Sequence, residues 1–393
     1  VYHNGTVCGA TGVDRQFGGT WVARAGAVVI ATGGCAFLSR ALGCNVLTGD
    51  GQLMAAEVGA ELSGMEFSNA YGLAPAFSSV TKSLFYNWAS FYRADGSLIE
   101  GAGSSKGRGV IAKTLETEPV FACLDRTDSQ IRGWMLSSQP NFFVPFRRQG
   151  IDPFTQHFEV SLRLEGTVRG TGGLHVIDAS CATSVPGLYA AGDAATRELI
   201  CGGFTGGGSH NAAWALSSGF WAGAGAVAFA RDVDADANTT RIALRAGGVG
   251  LKSGGNAPFD AGAAIRAVQA EVMPYGRNWS RSGEQLERSL RTLDALWLQL
   301  RRSAAPTTPL EAVRAREATA MLATSRWMYR SALQRTETRG MHRRKDYPTS
   351  DPAQHHRLLS GGLDEVWTRK QAVAGAADAA NVTKAPQLSG VLA

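Results

Sequence analysis

The sequence has little of what would place it in a membrane or around a metal cluster. No apolar run approaches ~18 residues, the length that crosses a bilayer as a helix. Its six cysteines, Cys8, Cys35, Cys44, Cys123, Cys181 and Cys201, contain no C-x-x-C pair. That argues against an iron–sulfur or zinc site within the chain, and no metal ligands are expected. Scattered free cysteines suit a reducing compartment, so a cytoplasmic protein is expected. Neither sign of charge dominates, with 39 basic against 33 acidic residues and a net charge of +6. No nucleic-acid recognition motif accompanies the arginines, which gather in the C-terminal third, and nucleic acid is not an expected partner. Those arginines read as solvated helix faces, with a docking surface for an acidic protein as the alternative. The chain starts at Val1 rather than Met and has no G-x-G-x-x-G turn near its start.

Glycine, by contrast, is abundant, with 48 residues, and its placement carries the strongest signal. Residues 185–223 read VPGLYAAGDAATRELICGGFTGGGSHNAAWALSSGFWAG. The run 187–192 is short, apolar and bounded by Pro186 and Gly192, as a buried parallel strand is. Asp193 follows at its C-terminal end, where ligands bind in open α/β sheets. A carboxylate there accepts hydrogen bonds from the hydroxyls of a ribityl chain. The glycines of 202–208 let the backbone approach a flat ring system without Cβ clashes. Gly207, Gly208, Ser209, His210, Asn211 and Ala212 then open a helix, with Ser209 and Asn211 as candidate caps. Its free N–H groups and partial positive charge favour an anion, such as a reduced flavin at its N1–C2=O edge. His210 either tunes that flavin near neutral pH or caps the helix. FAD is the expected cofactor; the alternative is a glycine-rich loop that holds none.

A second glycine-marked strand lies upstream. Residues 25–34 read AGAVVIATGG, an apolar β-run ending at Ala31, followed by the breakers Thr32, Gly33 and Gly34. Thr48, Gly49, Asp50 and Gly51 open a helical pattern whose small residues Ala55, Ala56 and Gly59 permit close packing on a sheet or a ligand. Asp50 is an N-terminal cap, a second cofactor contact, or both.

Four blocks, in order, carry a resemblance: AVVIATGG (27–34), TGDGQLMAAEVGAELSGMEF (48–67), TGGLHV…SVPGLYAAGDAA (171–195) and ALQRTETRGMHRRKDYP (332–348). Together they resemble the flavoprotein family of succinate dehydrogenase, fumarate reductase, L-aspartate oxidase and adenylylsulfate reductase. The resemblance implies an α/β fold, with a Rossmann-like FAD-binding domain, an α+β capping domain and a C-terminal helical domain. The family's N-terminal β-α-β unit, which holds the ADP pyrophosphate, is lacking, so the FAD domain is incomplete. The chain is read as a fragment, with one product of a split gene as the alternative. Expected divisions are 1–64 and 171–231 for the FAD-binding domain, 65–170 for the aromatic-rich cap and 232–260 for a linker. The helical domain is expected at 261–348, with helices over 261–272, 282–302 and 309–336, and a tail at 349–393.

The family's chemistry implies hydride transfer between flavin N5 and a small organic substrate lying under the cap. Arg108, in KGRGVI (106–111), resembles the family's proton-delivering arginine. A guanidinium is a poor acid, with a pKa above ~12, so a relay through Glu100 or Glu116 is expected; the alternative is a structural arginine at a helix start. Departures from the family narrow the substrate. Tyr71 stands near the position of a family histidine, as a hydrogen-bond or proton donor or as ordinary aromatic packing. The histidine of the family's H-Y-T-M-G-G is absent from Val168-Arg169-Gly170-Thr171-Gly172-Gly173, where Arg169 restores some positive charge. The family's carboxylate-clamping arginine falls where this chain has its 202–208 glycine loop. With three of four dicarboxylate-handling groups missing, succinate and fumarate are not expected substrates. Two alternatives stand: an adenylylsulfate-reductase-like flavoprotein subunit, or a non-catalytic flavin electron relay. Both work with a ferredoxin-like iron–sulfur partner. His342, among Arg339, Arg343, Arg344 and Asp346, reads as part of a structural charge network.

Overall fold

Two short parallel strands organise the region expected to carry the cofactor. In the computed structural model, which describes residues 1–81, 84–104, 106–205, 207–233, 247–252 and 255–372, Val28–Ile30 pairs with Leu188–Ala190. Val28 lies opposite Leu188 and Ile30 opposite Ala190. Such apolar, partly β-branched strands suit a sheet covered on its faces. Gly33 and Gly192 follow the two strands with φ of 75° and 62°. Those left-handed conformations are strained for residues with a Cβ, so glycine lets both strands turn sharply at the same end.

The helix Gly207–Asp232 packs against this end. Trp214 Nε1 donates to the Gly192 carbonyl at 2.9 Å, and the Gly192 N–H donates to Ser218 Oγ at 2.9 Å. The turn after the second strand is therefore pinned from both its donor and its acceptor. The outer face of the helix exposes Leu216, Phe220 and Trp221. Residues 210–232 are long and apolar enough, by length and composition, to cross a membrane, and 17% of the most apolar window is buried. The sequence expectation that no such segment exists rested on continuous apolar runs. Ser217, Ser218 and Gly219 break the run without lowering the average enough.

The region between the two parallel strands forms a four-stranded antiparallel sheet. Its order is Ala70–Pro75, Phe158–Glu165, Val120–Cys123, Ser90–Tyr92. Phe158–Glu165 begins by alternating buried with more exposed positions, as a strand with one core-facing side must. The helices Ser129–Ser138, capped by the Asp128 carboxylate, and Pro140–Gln149 are the helices of this region that follow the Val120–Cys123 strand. The second contributes Phe142, Phe143 and Phe146 to an aromatic core. Phe146 meets Phe158 edge-on at 4.7 Å between centroids, and Phe142 meets Phe85 at 5.1 Å.

Three long helices follow near their expected places: Ala261–Val272, Gly283–Arg301 and Pro309–Gln334. Each starts at a side-chain cap, from Asp260, Ser282 and Thr308, and Thr308 forms a reciprocal capping box with Glu311. The middle helix buries Leu286, Leu290, Leu293 and Leu300 together with Trp297, leaving Leu296 half-buried. The stretch 349–372 is not a loose tail. His356–Gly361 and Trp367–Ala372 form a hairpin that joins Leu62–Ser63 and Gly173–Leu174 in a second four-stranded sheet. Cross-strand pairing with a distant segment cannot be read from local composition. Of the expected linker, 234–246 and 253–254 lie outside the described residues, as does the tail beyond 372. Within it, the Gly248 and Val249 N–H groups donate to Glu57 Oε1 at 3.0 and 2.9 Å, which ties 247–252 to the helix Asp50–Glu57.

A buried charge network locks the C-terminal segment onto the rest. Arg335 Nε donates to Glu66 Oε1 at 2.8 Å, and Arg335 Nη1 donates to Glu337 Oε1 at 3.0 Å. Arg281 Nη1 donates to the Glu66 carbonyl at 2.6 Å and lies 2.9 Å from His342 Nδ1. A guanidinium only donates, so His342 Nδ1 accepts, and its Nε2 carries the proton that bonds the Arg335 carbonyl at 3.0 Å. Burial and the neighbouring Arg281 hold the His342 pKa well below the ordinary histidine value. The imidazole is thus a neutral strut, in agreement with the structural reading of this motif.

Candidate functional site

A cavity of about 500 Å³ opens where the two parallel strands end. Ala31 and Gly33 line it from the first strand end, and Ala191, Gly192 and Asp193 from the second. Asn211 and Ala212 close it from the start of the Gly207–Asp232 helix, and Gly219 from the next turns. The opposite wall is Cys44 with Val168 and Arg169. Six residues expected to contact the cofactor, from three separate segments, therefore meet at one cavity, with Arg169 beside them. A Cβ placed at Gly43 or Gly219 would meet nothing within 4 Å. The backbone there leaves open space that a flat group can use.

Two charges face this space. Asp193 is paired with Arg197 four residues on, through Asp193 Oδ1 and Arg197 Nη1. Arg197 is 1% exposed, and its Nη2 also donates to the carbonyls of Val168, at 3.0 Å, and Gly170. It thereby ties the Asp193 turn to the strand-end segment that carries Arg169. Burial raises the Asp193 pKa against the pull of Arg197 and Arg169. Arg169 is half-buried and makes no hydrogen bond or ion pair with any described residue. Sequence reasoning missed Arg197; the signal for it was its i, i+4 spacing from Asp193.

The other expected residues are distributed differently. Thr48 and Asp50 line a second cavity of about 510 Å³. There Asp50 Oδ1 pairs with Arg316 Nη2 at 3.0 Å, and Arg316 Nη1 pairs with Glu57 at 2.6 Å. Asp50 is thus engaged by the long C-terminal helix, and its side chain does not cap its own helix. Thr32 sits beside Gly51, where a Cβ would strike the Thr32 hydroxyl. Gly34 is packed against Thr167, and the Gly49 N–H donates to the Gly34 carbonyl at 3.1 Å. These residues shape the strand end from behind the first cavity. His210 is exposed on the helix that carries Asn211. Gly207, Gly208 and Ser209 begin the same helix, and their side-chain surroundings lie outside the described residues.

Tyr71 and Arg108 lie apart from both cavities. The Tyr71 hydroxyl is 3.0 Å from the carbonyls of both Val272 and Met273, and the residue is 2% exposed. Its ring stands edge-on to Tyr275 and Trp279. Burial pushes its hydroxyl well above the ordinary phenol value. The structure places it as packing between the sheet and the helices, which is a correction to its expectation as a proton donor. Arg108 begins a short helix, Arg108–Thr114, and donates to the Tyr71 carbonyl at 3.2 Å and the Ser104 carbonyl at 2.9 Å. Its Nε is buried with no acceptor among the described residues. The carboxylate that acts on it is Glu165, itself bonded by the Thr81 hydroxyl at 2.7 Å. The expected relay residues Glu100 and Glu116 are exposed.

A further titrating group sits between the site and the second sheet. Ser63 Oγ donates to the Glu198 carboxylate, which packs against Gly64. Burial, with Glu66 nearby, raises Glu198 from 4.5 to about 7. The folded protein binds this proton more tightly than the unfolded chain does. The resulting stabilisation is therefore full below pH 4.5 and lost as the pH rises through 7. Melting temperatures across that window should fall more steeply for the wild type than for Glu198→Gln; parallel curves would refute the assignment.

Comparison with known proteins adds four findings. Residues 269–385 match the family model described as fumarate reductase flavoprotein C-term. The chain is 27% identical over 370 residues to an L-aspartate oxidase of Streptomyces coelicolor, a match covering 86% of this chain and 60% of that protein. Its fold is similar to the FrdA chain of E. coli quinol fumarate reductase, with a TM-score of 0.74 at 20% identity, over 94% of this chain and 69% of that one. It is also similar to adenylylsulfate reductase from Archaeoglobus fulgidus, with a TM-score of 0.69 at 18% identity, over 95% and 71%. The chain spans 60% of the length of the curated relative and about 70% of these structures.

Proposed function

We infer that this chain, a member of the fumarate reductase and succinate dehydrogenase flavoprotein family, holds the flavin ring and caps the substrate in an FAD-dependent oxidoreductase. The observation that carries the reading is the convergence of Ala31, Gly33, Gly192, Asp193, Asn211 and Ala212 on one cavity. The residues present fit the cofactor. Backbone without bulky side chains admits a flat ring, the Asp193 carboxylate suits ribityl hydroxyls, and Arg169, unpaired among the described residues, suits an electron-rich ring edge. Bound there, FAD supplies a two-electron acceptor and donor; the protein supplies binding, orientation and a dry site.

Asp193 is held in place by Arg197, so it meets a ligand preorganised. Arg169 offers a positive charge whose attraction grows as negative charge develops nearby. Arg108 is the proposed proton-delivering group on the cap. Burial lowers its pKa, and the nearby Glu165 carboxylate opposes that shift. The substrate in this reading is a small organic anion other than succinate or fumarate. A second reading, an electron relay fed by a ferredoxin-like iron–sulfur protein, draws on the exposed apolar side chains Leu199, Ile200 and Phe204.

Anaerobic mixing of the full-length holoprotein with candidate organic acids tests both readings. Bleaching of the flavin absorbance by an acid supports the enzyme, and bleaching only by a reduced iron–sulfur protein supports the relay. Arg108→Ala is expected to lower turnover by about 10²–10⁴-fold, the usual contribution of a positioned acid. Unchanged turnover would remove Arg108 from the mechanism.

A further inference from the structure

Left-handed backbone outside glycine is concentrated in one loop. Among the described residues, five non-glycine residues have such φ values, and three of them, Phe37, Leu38 and Arg40, fall within four positions, at 56°, 52° and 63°. A side chain with a Cβ is crowded there, a bulky one most of all. Such a conformation persists only where its surroundings impose it. The loop joins the strand Val28–Ile30 to the helix Asp50–Glu57, and its Leu42, Gly43 and Cys44 line the cavity at the parallel strand ends.

Most of the contacts that impose it come from the antiparallel sheet and from the turn after Ala70–Pro75. Ser39 Oγ donates to the Leu164 carbonyl, and the Leu42 N–H donates to the Ser79 carbonyl at 2.8 Å. Leu164 follows Arg163 on the strand Phe158–Glu165. Arg163 Nε donates to the Ser78 carbonyl at 2.8 Å and Nη2 to the Ala76 carbonyl at 3.2 Å, which fixes the turn that presents Ser79. Its Nη1 reaches the Ser39 carbonyl at 3.5 Å. One half-buried guanidinium therefore holds the loop twice, directly at Ser39 and through the turn at Leu42. Gln269 Nε2, from the helix Ala261–Val272, adds a bond to the Phe37 carbonyl at 2.8 Å.

We propose that Arg163 is a positioning residue for the flavin cavity, clamping the strained loop 37–42 and so tying the cavity wall at 42–44 to the antiparallel sheet. A shift of the sheet end loosens the clamp, lets the left-handed residues relax and moves that wall. By linkage, a filled cavity steadies the sheet end in return. Arg163 touches neither the flavin nor the reacting atoms in this arrangement. Its effect on flavin rests on the oxidoreductase reading above, whereas the clamp rests on the geometry of the loop.

Hydrogen–deuterium exchange of the amides of 36–44 in the full-length protein reads the clamp, and the rate of flavin release on dilution reads the cavity. Arg163→Met should speed both at least ~10-fold, the loss of roughly one hydrogen bond to a charged group. Arg40 is exposed, so Arg40→Gly relieves a left-handed φ without opening the core. Added to Arg163→Met, it should bring both rates back to within about 3-fold of the wild type. Loss of packing at Arg163 would show no such rescue. Unchanged exchange, faster exchange with unchanged flavin release, or failure of the rescue overturns the proposal. Should Arg163→Met lose its cooperative melt, Ser39→Ala, which removes only the bond to Leu164, takes its place with the same expectations. A wild type that binds no flavin would sink the oxidoreductase reading instead, and exchange with its rescue then decides the clamp.

Discussion

Arg335→Met is expected to destabilise the protein by about 3–5 kcal/mol, the cost of leaving a buried charge unpaired. Arg335 is 1% exposed and Glu66 is fully buried. Besides Glu66 and Glu337, Arg335 donates to the carbonyls of Gln354 at 3.0 Å and His356 at 2.9 Å. One side chain therefore joins the Met65–Phe67 turn, the end of the longest C-terminal helix and the hairpin that follows it. Burial already raises the Glu66 pKa, and Arg335 is the largest opposing influence. In the variant, Glu66 has a still higher folded-state pKa, so the variant should regain stability as the pH falls and lose it as the pH rises. Urea denaturation of both proteins at two pH values measures this, and adding Glu66→Gln to the variant should restore part of the loss. A difference below about 1 kcal/mol would place Arg335 among pairs that contribute little.

Asp193→Asn is expected to weaken flavin retention by about 10–100-fold, as for the loss of hydrogen bonds to a charged group. The amide keeps the shape and one acceptor for Arg197, so the fold should survive. Flavin fluorescence on release, measured during stepwise dilution, gives the change in affinity. Equal retention in wild type and variant would remove Asp193 from the cofactor contacts.

The strands and their glycine ends were legible because a short apolar run followed by glycine or by Gly-Asp has few other structural uses. The helices of 261–334 were legible from spacing. The cofactor residues were only partly separable. Asp50 and Asp193 have the same local appearance, a carboxylate beside glycine at an element end. Only the fold shows that Arg316 engages one and Arg197 the other, and only Asp193 faces the first cavity. Tyr71 could not be settled from sequence, because its partners Val272 and Met273 are carbonyls about two hundred residues away. The hairpin at 356–372 stayed hidden for the same reason, since its pairing partner is the two-residue strand Leu62–Ser63.

We place the flavin ring in the cavity at the parallel strand ends. Ala212 lines that cavity and is exposed, so a larger side chain there fills the space without entering the core. Bound flavin, released from the full-length protein by heat and quantified per chain, is the direct measurement for wild type and Ala212→Phe. Stoichiometric flavin is expected in the wild type, and little or none in a variant that still melts cooperatively. A folded Ala212→Phe protein with a full complement of flavin would contradict that placement.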